Sequence, residues 1–208
     1  MNNLGYNKLF SLSGGDIMRK LKDQDLRNLL LKDLHNIYRD DNSTKIINEM
    51  GVLHGQSRID VAVINGILHG FEIKSESDNL LRLPSQMEDY NKVFDKMTIV
   101  IQRNHLKEVR EVIPKWWGIW LVTYYQGDYR IREIRKGKTN NNVDPYSLSH
   151  LLWRDEALEV LKERGLQKGL LSKPREELYA KICNSISLSE IQGAVNRWLK
   201  VREGWRAH

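Results

Sequence analysis

Residues 58–74, Arg-Ile-Asp-Val-Ala-Val-Ile-Asn-Gly-Ile-Leu-His-Gly-Phe-Glu-Ile-Lys, constrain the fold most, because apolar residues alternate along two arms with Asn65-Gly66 between them. Period-two alternation marks a half-buried strand, and Asn-Gly between two such runs signals a β-hairpin. The loop length then decides which side chains meet. A two-residue Asn65-Gly66 loop sets Asp60 opposite Phe71 and sends Asp60 and Glu72 to opposite faces. A three-residue loop of Ile64, Asn65 and Gly66, with Gly66 left-handed in a bulge, pairs Val63 with Ile67 and Asp60 with Gly70. Arg58, Asp60, Gly70, Glu72 and Lys74 then share one face, while Ile59, Val61, Val63, Phe71 and Ile73 point into a core. The second register is the working expectation, with Gly70 leaving room beside the two carboxylates for a hydrated cation.

The flanking pattern is mixed α/β. Leu26, Leu29, Leu30, Leu34 and Ile37 recur at helical spacing over 24–38. Asp40-Asp41-Asn42-Ser43 breaks that helix and is read as capping a second, short one over 44–50, with Glu49 in its last turn. An acid there sits at the unfavourable end of the helix dipole, so a compensating cation or metal is suspected, unless Glu49 is simply solvated. Pro84-Ser85 opens a helix to about residue 96 whose stripe includes Met87, Tyr90 and Phe94, with Gln86 one turn before Tyr90. Strands are expected at 98–101, 116–125 and 129–135, and a helix at 105–113. The first 15 residues are polar and Gly/Ser-rich and are expected to be loose. An Asn-rich linker, 137–145, separates a core domain (1–138) from a helical subdomain (139–208) with helices at 147–163, 175–184 and 188–202.

Charge matters for the choice of partner. The chain carries a formal charge of +6, which favours a polyanion. Its one cysteine, Cys183, allows neither an intramolecular disulfide nor a cysteine-cluster metal site. With no apolar run of membrane-spanning length and no signal-like start, a cytoplasmic protein that does not enter membranes is expected.

Asp60, Glu72 and a lysine two residues after Glu72 form a set suited to metal-assisted phosphodiester chemistry. Crowded carboxylates repel, and a hard divalent cation, Mg²⁺ or Mn²⁺, relieves that repulsion. Such a cation polarises a phosphate and acidifies water, and a neighbouring ammonium stabilises the charge that builds up. An acid-x-Lys triplet alone says little; the package of Glu49, Asp60, Glu72-Ile73-Lys74 and Gln86-x-x-x-Tyr90 says more.

That package resembles the PD-(D/E)XK nuclease superfamily, whose restriction-endonuclease-like core runs helix, three strands, helix, strand. Gln86-x-x-x-Tyr90 is similar to the motif of its RecB-like branch. The run Arg58-Ile-Asp-Val-Ala-Val63 with His69-Gly-x-Glu-Ile-Lys-Ser75 also resembles a family of small bacterial proteins. The resemblance covers residues 24–125 well and the helical end less specifically. It implies Asp60 and Glu72 as metal ligands, Ile73 contributing its carbonyl, Lys74 as the catalytic lysine, Glu49 as the helical acid, and Gln86 and Tyr90 as positioning DNA or water. Ile59 stands where the name-giving proline would be. The expected activity is Mg²⁺- or Mn²⁺-dependent hydrolysis of DNA, with RNA the alternative polymer. There is no Gly-rich phosphate-binding loop, so any ATP-driven unwinding would come from a partner protein.

Plainer readings stand beside these. Asp60, Glu72 and Lys74 also fit a solvated cross-strand cluster, and the nuclease fold also fits a regulatory or nucleic-acid-binding protein without turnover. Tyr90 fits a core position as well as a functional one. Trp116, Trp117 and Trp120 fit a core strand better than a base-stacking surface. His54, His69 and His105 lack metal-ligand spacing and are read as structural or solvated. Arg130, Arg132, Arg135, Lys136 and Lys138 fit either a phosphate track or a charged edge strand. Residues 177–202, with Arg197, Lys200 and Arg202, fit a helical cap better than a helix-turn-helix.

Overall fold

The computed structural model describes residues 21–203, so the polar start read at 1–15 lies outside the described residues. The first helix, α1 (Asp23–Ile37), carries Asp23 and Asp25 in its first turn, where acids complement the dipole. Its buried stripe of Leu26, Leu30 and Leu34 packs on Val61, Val63, Phe71, Ile73, Val100 and Val122 of a sheet. Arg27 is buried on the same stripe.

The short helix expected over 44–50 is instead a strand, β1 (Lys45–Val52). It pairs antiparallel with β2 (Ser57–Ile64), and Ile47, Met50 and Val52 are buried there. Two β-branched isoleucines and the unpaired edge of β2 outweigh a seven-residue helix, which is too short to be stable by itself.

β2 continues through the hairpin into β3 (Leu68–Lys74), with Val61, Ala62, Val63 and Ile64 opposite Phe71, Gly70, His69 and Leu68. The loop is three residues long, but it is Asn65-Gly66-Ile67, shifted by one from the expected Ile64-Asn65-Gly66. Gly66 is left-handed as expected, at φ 70°. The shift buries both Ile64 and Leu68 and leaves Ile67 exposed at the tip, so apolar burial sets the register. Continued by one rung, it puts Asp60 opposite Glu72 rather than Gly70.

Gly70 does not provide space for a cation. A Cβ there would come within 2.5 Å of Met97 Sδ and 3.0 Å of the Phe94 ring. The glycine admits the end of α2 (Leu83–Val93) to the sheet. β4 (Lys96–Ile101) and β5 (Gly118–Tyr125) add in parallel, with α3 (Leu106–Val112) between them, and β6 (Asp128–Arg135) closes the sheet antiparallel to β5. The result is a mixed six-stranded sheet in sequential order, and the described residues hold seven α-helices.

The helix expected over 147–163 is two, α4 (Pro145–Ser149) and α5 (Arg154–Lys162), followed by α6 (Arg175–Ser185) and α7 (Leu188–Val201). The break falls where Glu156 accepts the backbone N–H of Trp153 at 2.7 Å, capping α5 afresh. The segment read as a linker is pinned to the end of α2, because Asn140 donates to the carbonyls of Asn91 and Phe94. One hydrophobic cluster runs from Ala62, Ile64 and Met97 of the sheet through Tyr90 to Leu148, Val160, Ile182, Val195 and Leu199 of the last helices. Arg202 is buried on Glu156 and on the Leu151 carbonyl, and Arg197 is 2.7 Å from Glu163, so packing supports the helical-cap reading of this end. Among the described residues no helix is long and apolar enough to cross a membrane.

Candidate active site

The registers of β1, β2 and β3 align three acids. Asn48/Val61 and Met50/Ile59 bracket Glu49 and Asp60, and the Val61/Phe71 pair continued by one residue sets Asp60 opposite Glu72. Glu49 therefore comes from a strand, not from the helix expected. Its φ of 52° is left-handed, a strained choice for a side chain with a Cβ. Beyond this rung Ile59 joins the core cluster on the α2 side of the sheet, whereas Val61 and Val63 face α1.

Glu72 is 1 % exposed. Its Oε1 accepts from Lys74 Nζ at 2.6 Å and from Gln86 Nε2 at 2.8 Å, and its Oε2 is 3.1 Å from the Tyr90 hydroxyl. Gln86 Oε1 in turn accepts from Lys74 Nζ at 3.1 Å, and the Tyr90 hydroxyl donates to the Arg58 carbonyl at 2.8 Å. Tyr90 is thus both core and site: its ring is fully buried beside Trp117, and its hydroxyl reaches the acid. Desolvation raises the pKa of Glu72, and Lys74 opposes that rise. Desolvation, with the charge of Glu72 next, pushes Asp60 up to about 7.

Asp60 has a partner that the sequence reading missed. Arg27 Nη2 donates to Asp60 Oδ1 at 2.8 Å, and Nη1 to Glu49 Oε1 at 3.2 Å. Asp60 Oδ2 accepts the backbone N–H of Ile73 at 2.8 Å. The available signal was an arginine on the buried stripe of α1, since a charge on such a stripe needs a buried counter-charge. Glu49 Oε2 is also 3.5 Å from Arg58. Its carboxylate is turned to arginines, and among the described residues no three His, Cys, Asp or Glu side chains converge as a metal-holding group.

Glu49, Asp60, Glu72, Lys74 and Gln86 line one cavity of ≈ 1270 Å³, whose lining includes neither Tyr90 nor Arg27. Ile73 and four arginines, Arg58, Arg82, Arg175 and Arg202, also form part of its lining, as do Asp23 and Asp78. His150, Trp153 and Arg175 bring the helical end into that wall, which sequence reading assigned to no site. Elsewhere Trp117 is buried core with its indole N–H on Asn91 Oδ1, and His105 bonds the Ser75 carbonyl. Arg135 is held by the carbonyls of Trp117 and Pro114, while Arg130 and Arg132 are exposed on the edge strand β6.

Protein cII of Enterobacteria phage P4 is 27 % identical over 182 residues, spanning 88 % of this chain and 68 % of that protein. A solved structure of a protein of unknown function from Silicibacter pomeroyi aligns with a TM-score of 0.42 at 16 % identity, covering 74 % of this chain and 99 % of that one. Residues 18–206, nearly the whole chain, match the family described as bacteriophage P4 protein cII, and the chain belongs to that family.

Proposed function

We propose that the protein is a metal-dependent nuclease that hydrolyses phosphodiester bonds of DNA, on a core of the PD-(D/E)XK type. The observation that carries this reading is the meeting of Asp60, Glu72, Lys74 and Gln86 on one cavity that Arg82 and Arg175 also line, with Tyr90 bonded behind Glu72. The order α1, β1, β2, β3, α2, β4 is the one the resemblance implies, and it supports the same reading.

The donor set fits a hard divalent cation. Two desolvated carboxylates on facing positions, both with raised pKa, form a pair whose repulsion Mg²⁺ or Mn²⁺ would relieve. Asp60 and Glu72 would hold it, with the Ile73 carbonyl, and it would supply Lewis-acid polarisation of the phosphate. The remaining chemistry belongs to the chain. Lys74, fixed between Glu72 and Gln86, presents an ammonium that stabilises charge building on the phosphoryl oxygens. Gln86 and Tyr90 hold Glu72 in one orientation, and the cavity arginines concentrate a polyanion there.

Circular and linear DNA incubated with Mg²⁺, Mn²⁺ or EDTA tests the reading. Cation-dependent cleavage that is lost in Asp60→Ala and Lys74→Ala is expected, and intact DNA in every metal removes it. A second reading, DNA binding without turnover, is favoured by Arg27, whose guanidinium already supplies Asp60 and Glu49 with a positive charge. Binding with no cleavage in any metal is its signature.

A further inference from the structure

The turn between β1 and β2 is strained. Leu53 and His54 have φ of 50° and 58°, left-handed without being glycine, and Gly55 follows at 86°. Residues held in this region cluster at ligand sites, where the surroundings over-determine them. What the strain achieves here is the placement of one ring. His54 stacks on His150 with centroids 4.5 Å apart and planes 25° from parallel. His150 is itself supported by Tyr146 at 4.8 Å and Tyr179 at 5.0 Å.

His54 also stacks on the core residue Tyr179 at 5.8 Å, yet it is itself exposed and lines the same cavity as Asp60, Glu72 and Lys74. Partial burial, and then the charge of Arg175, lowers the pKa of both imidazoles and keeps them neutral near pH 7. Nε2 of His150 is buried without a hydrogen-bond partner among the described residues. Trp153, 54 % exposed, continues the aromatic wall, with Arg202 against its ring.

We propose that the His54–His150 stack, flanked by Arg175, is a stacking platform for an unpaired nucleobase of the strand whose phosphate lies at the Asp60–Glu72 site. The proposal rests on the nuclease reading for the placement of that phosphate. A flat neutral ring backed by a rigid aromatic group offers its face to any base, and a guanidinium beside it suits the adjoining phosphate. Bases inside a duplex are already stacked, so the platform favours single-stranded DNA or a frayed end.

The experiment uses the full chain and a single-stranded oligodeoxynucleotide containing 2-aminopurine, in EDTA so that binding is read without cleavage. Quenching of the fluorescent base on binding is expected. His54→Ala should abolish the quench and weaken binding about 5- to 150-fold, the usual effect of losing one base–aromatic stack. His54→Phe should retain both. His54→Gly provides a ringless variant that relaxes the left-handed backbone, so a loss of binding there is not a folding defect. Wild-type affinity and quench in His54→Ala, equal affinity for an abasic oligonucleotide, or no binding by the wild type each overturns the proposal. Adding Mn²⁺ separates the two readings. Cleavage unaltered in His54→Ala removes the platform and leaves the nuclease, whereas a quench that depends on His54 with no cleavage in any metal does the reverse.

Discussion

Glu72 is a carboxylate almost out of reach of water, and the ammonium of Lys74 is its principal counter-charge. Removing one partner of a buried pair costs about 3–5 kcal/mol when the other stays ionised. Glu72 is already biased toward its protonated form, so Lys74→Met should cost less, about 1–3 kcal/mol by urea denaturation. Glu72→Gln with Lys74→Met should recover most of that loss, and strictly additive effects would show that the pair is not coupled. Cleavage by Lys74→Met should fall by about 10² or more per folded molecule. Saturating Mg²⁺ or Mn²⁺ should raise the Tm of the wild type by mass action and leave that of Asp60→Asn unmoved; equal shifts would put the cation elsewhere. His69 gives a separate handle on pH. Its ring packs on Phe71 at 4.2 Å, its Nε2 lies 2.9 Å from Thr98 Oγ1, and burial, with Lys96 adding, lowers its pKa from 6.5 to about 3. The folded state therefore binds fewer protons than the unfolded one between those values. Its contribution to stability is fully present above pH 6.5 and is lost as pH falls toward 3. His69→Leu should flatten the decline of stability in that window, and a decline parallel to the wild type would show that His69 does not titrate there.

At the scale of elements, legibility followed the strength of the local pattern. The alternating arms of β2 and β3 and the leucine stripe of α1 were plain in the residues, as was the capping box Ser187-x-x-Glu190 that starts α7. β1 was not, because Lys-Ile-Ile-Asn-Glu-Met fits a short helix as well as a strand and only the exposed edge of β2 decides. The hairpin loop was placed one residue early because the burial of Ile64 and Leu68 depends on α2 and the last helices, which local pattern cannot show. Asp60, Glu72 and Lys74 were legible in the alternation of the hairpin, and Gln86 through the resemblance of Gln86-x-x-x-Tyr90 to a family motif. The Arg27 contact and the wall of His150, Trp153 and Arg175 were not, since they come from elements distant in sequence. The same lesson applies to Arg202, weighed as a phosphate contact only in the less favoured helix-turn-helix reading and found buried on Glu156 at the end of α7. Arg202→Ala should cost about 3–5 kcal/mol in a denaturation experiment, as for breaking a buried pair. Arg197→Ala, whose pair with Glu163 is solvated, should cost about 1 kcal/mol or less. Equal costs would mean that the helical end is held by its apolar contacts alone.

For the whole molecule, the question is where a polyanion settles on a chain of net charge +6. Net charge steers any DNA toward the surface, but it does not choose a face. Two faces compete. One is the edge strand β6, where Arg130 and Arg132 project into solvent on the outermost strand of the sheet. The other is the cavity between the β1–β3 end of the sheet and the last helices, where Arg82 and Arg175 share a lining with Lys74. A charged edge strand has a sufficient explanation in keeping two sheets from pairing edge to edge. The cavity arginines have no such role, and they share their lining with Glu49, Asp60 and the buried Glu72. Each phosphate contact that is lost lowers the slope of log affinity against log salt by about 0.7 to 0.9. The double substitution Arg82→Gln, Arg175→Gln should therefore weaken DNA binding at low salt and flatten the salt dependence by nearly two such steps, without changing the Tm by more than the small amount expected of surface positions. Arg130→Gln with Arg132→Gln removes the same formal charge from β6 and should leave the slope unchanged. If the β6 pair flattens the slope and the cavity pair does not, DNA lies along the edge of the sheet, away from Asp60 and Glu72, and the assignment of the cavity as the nuclease site falls with it.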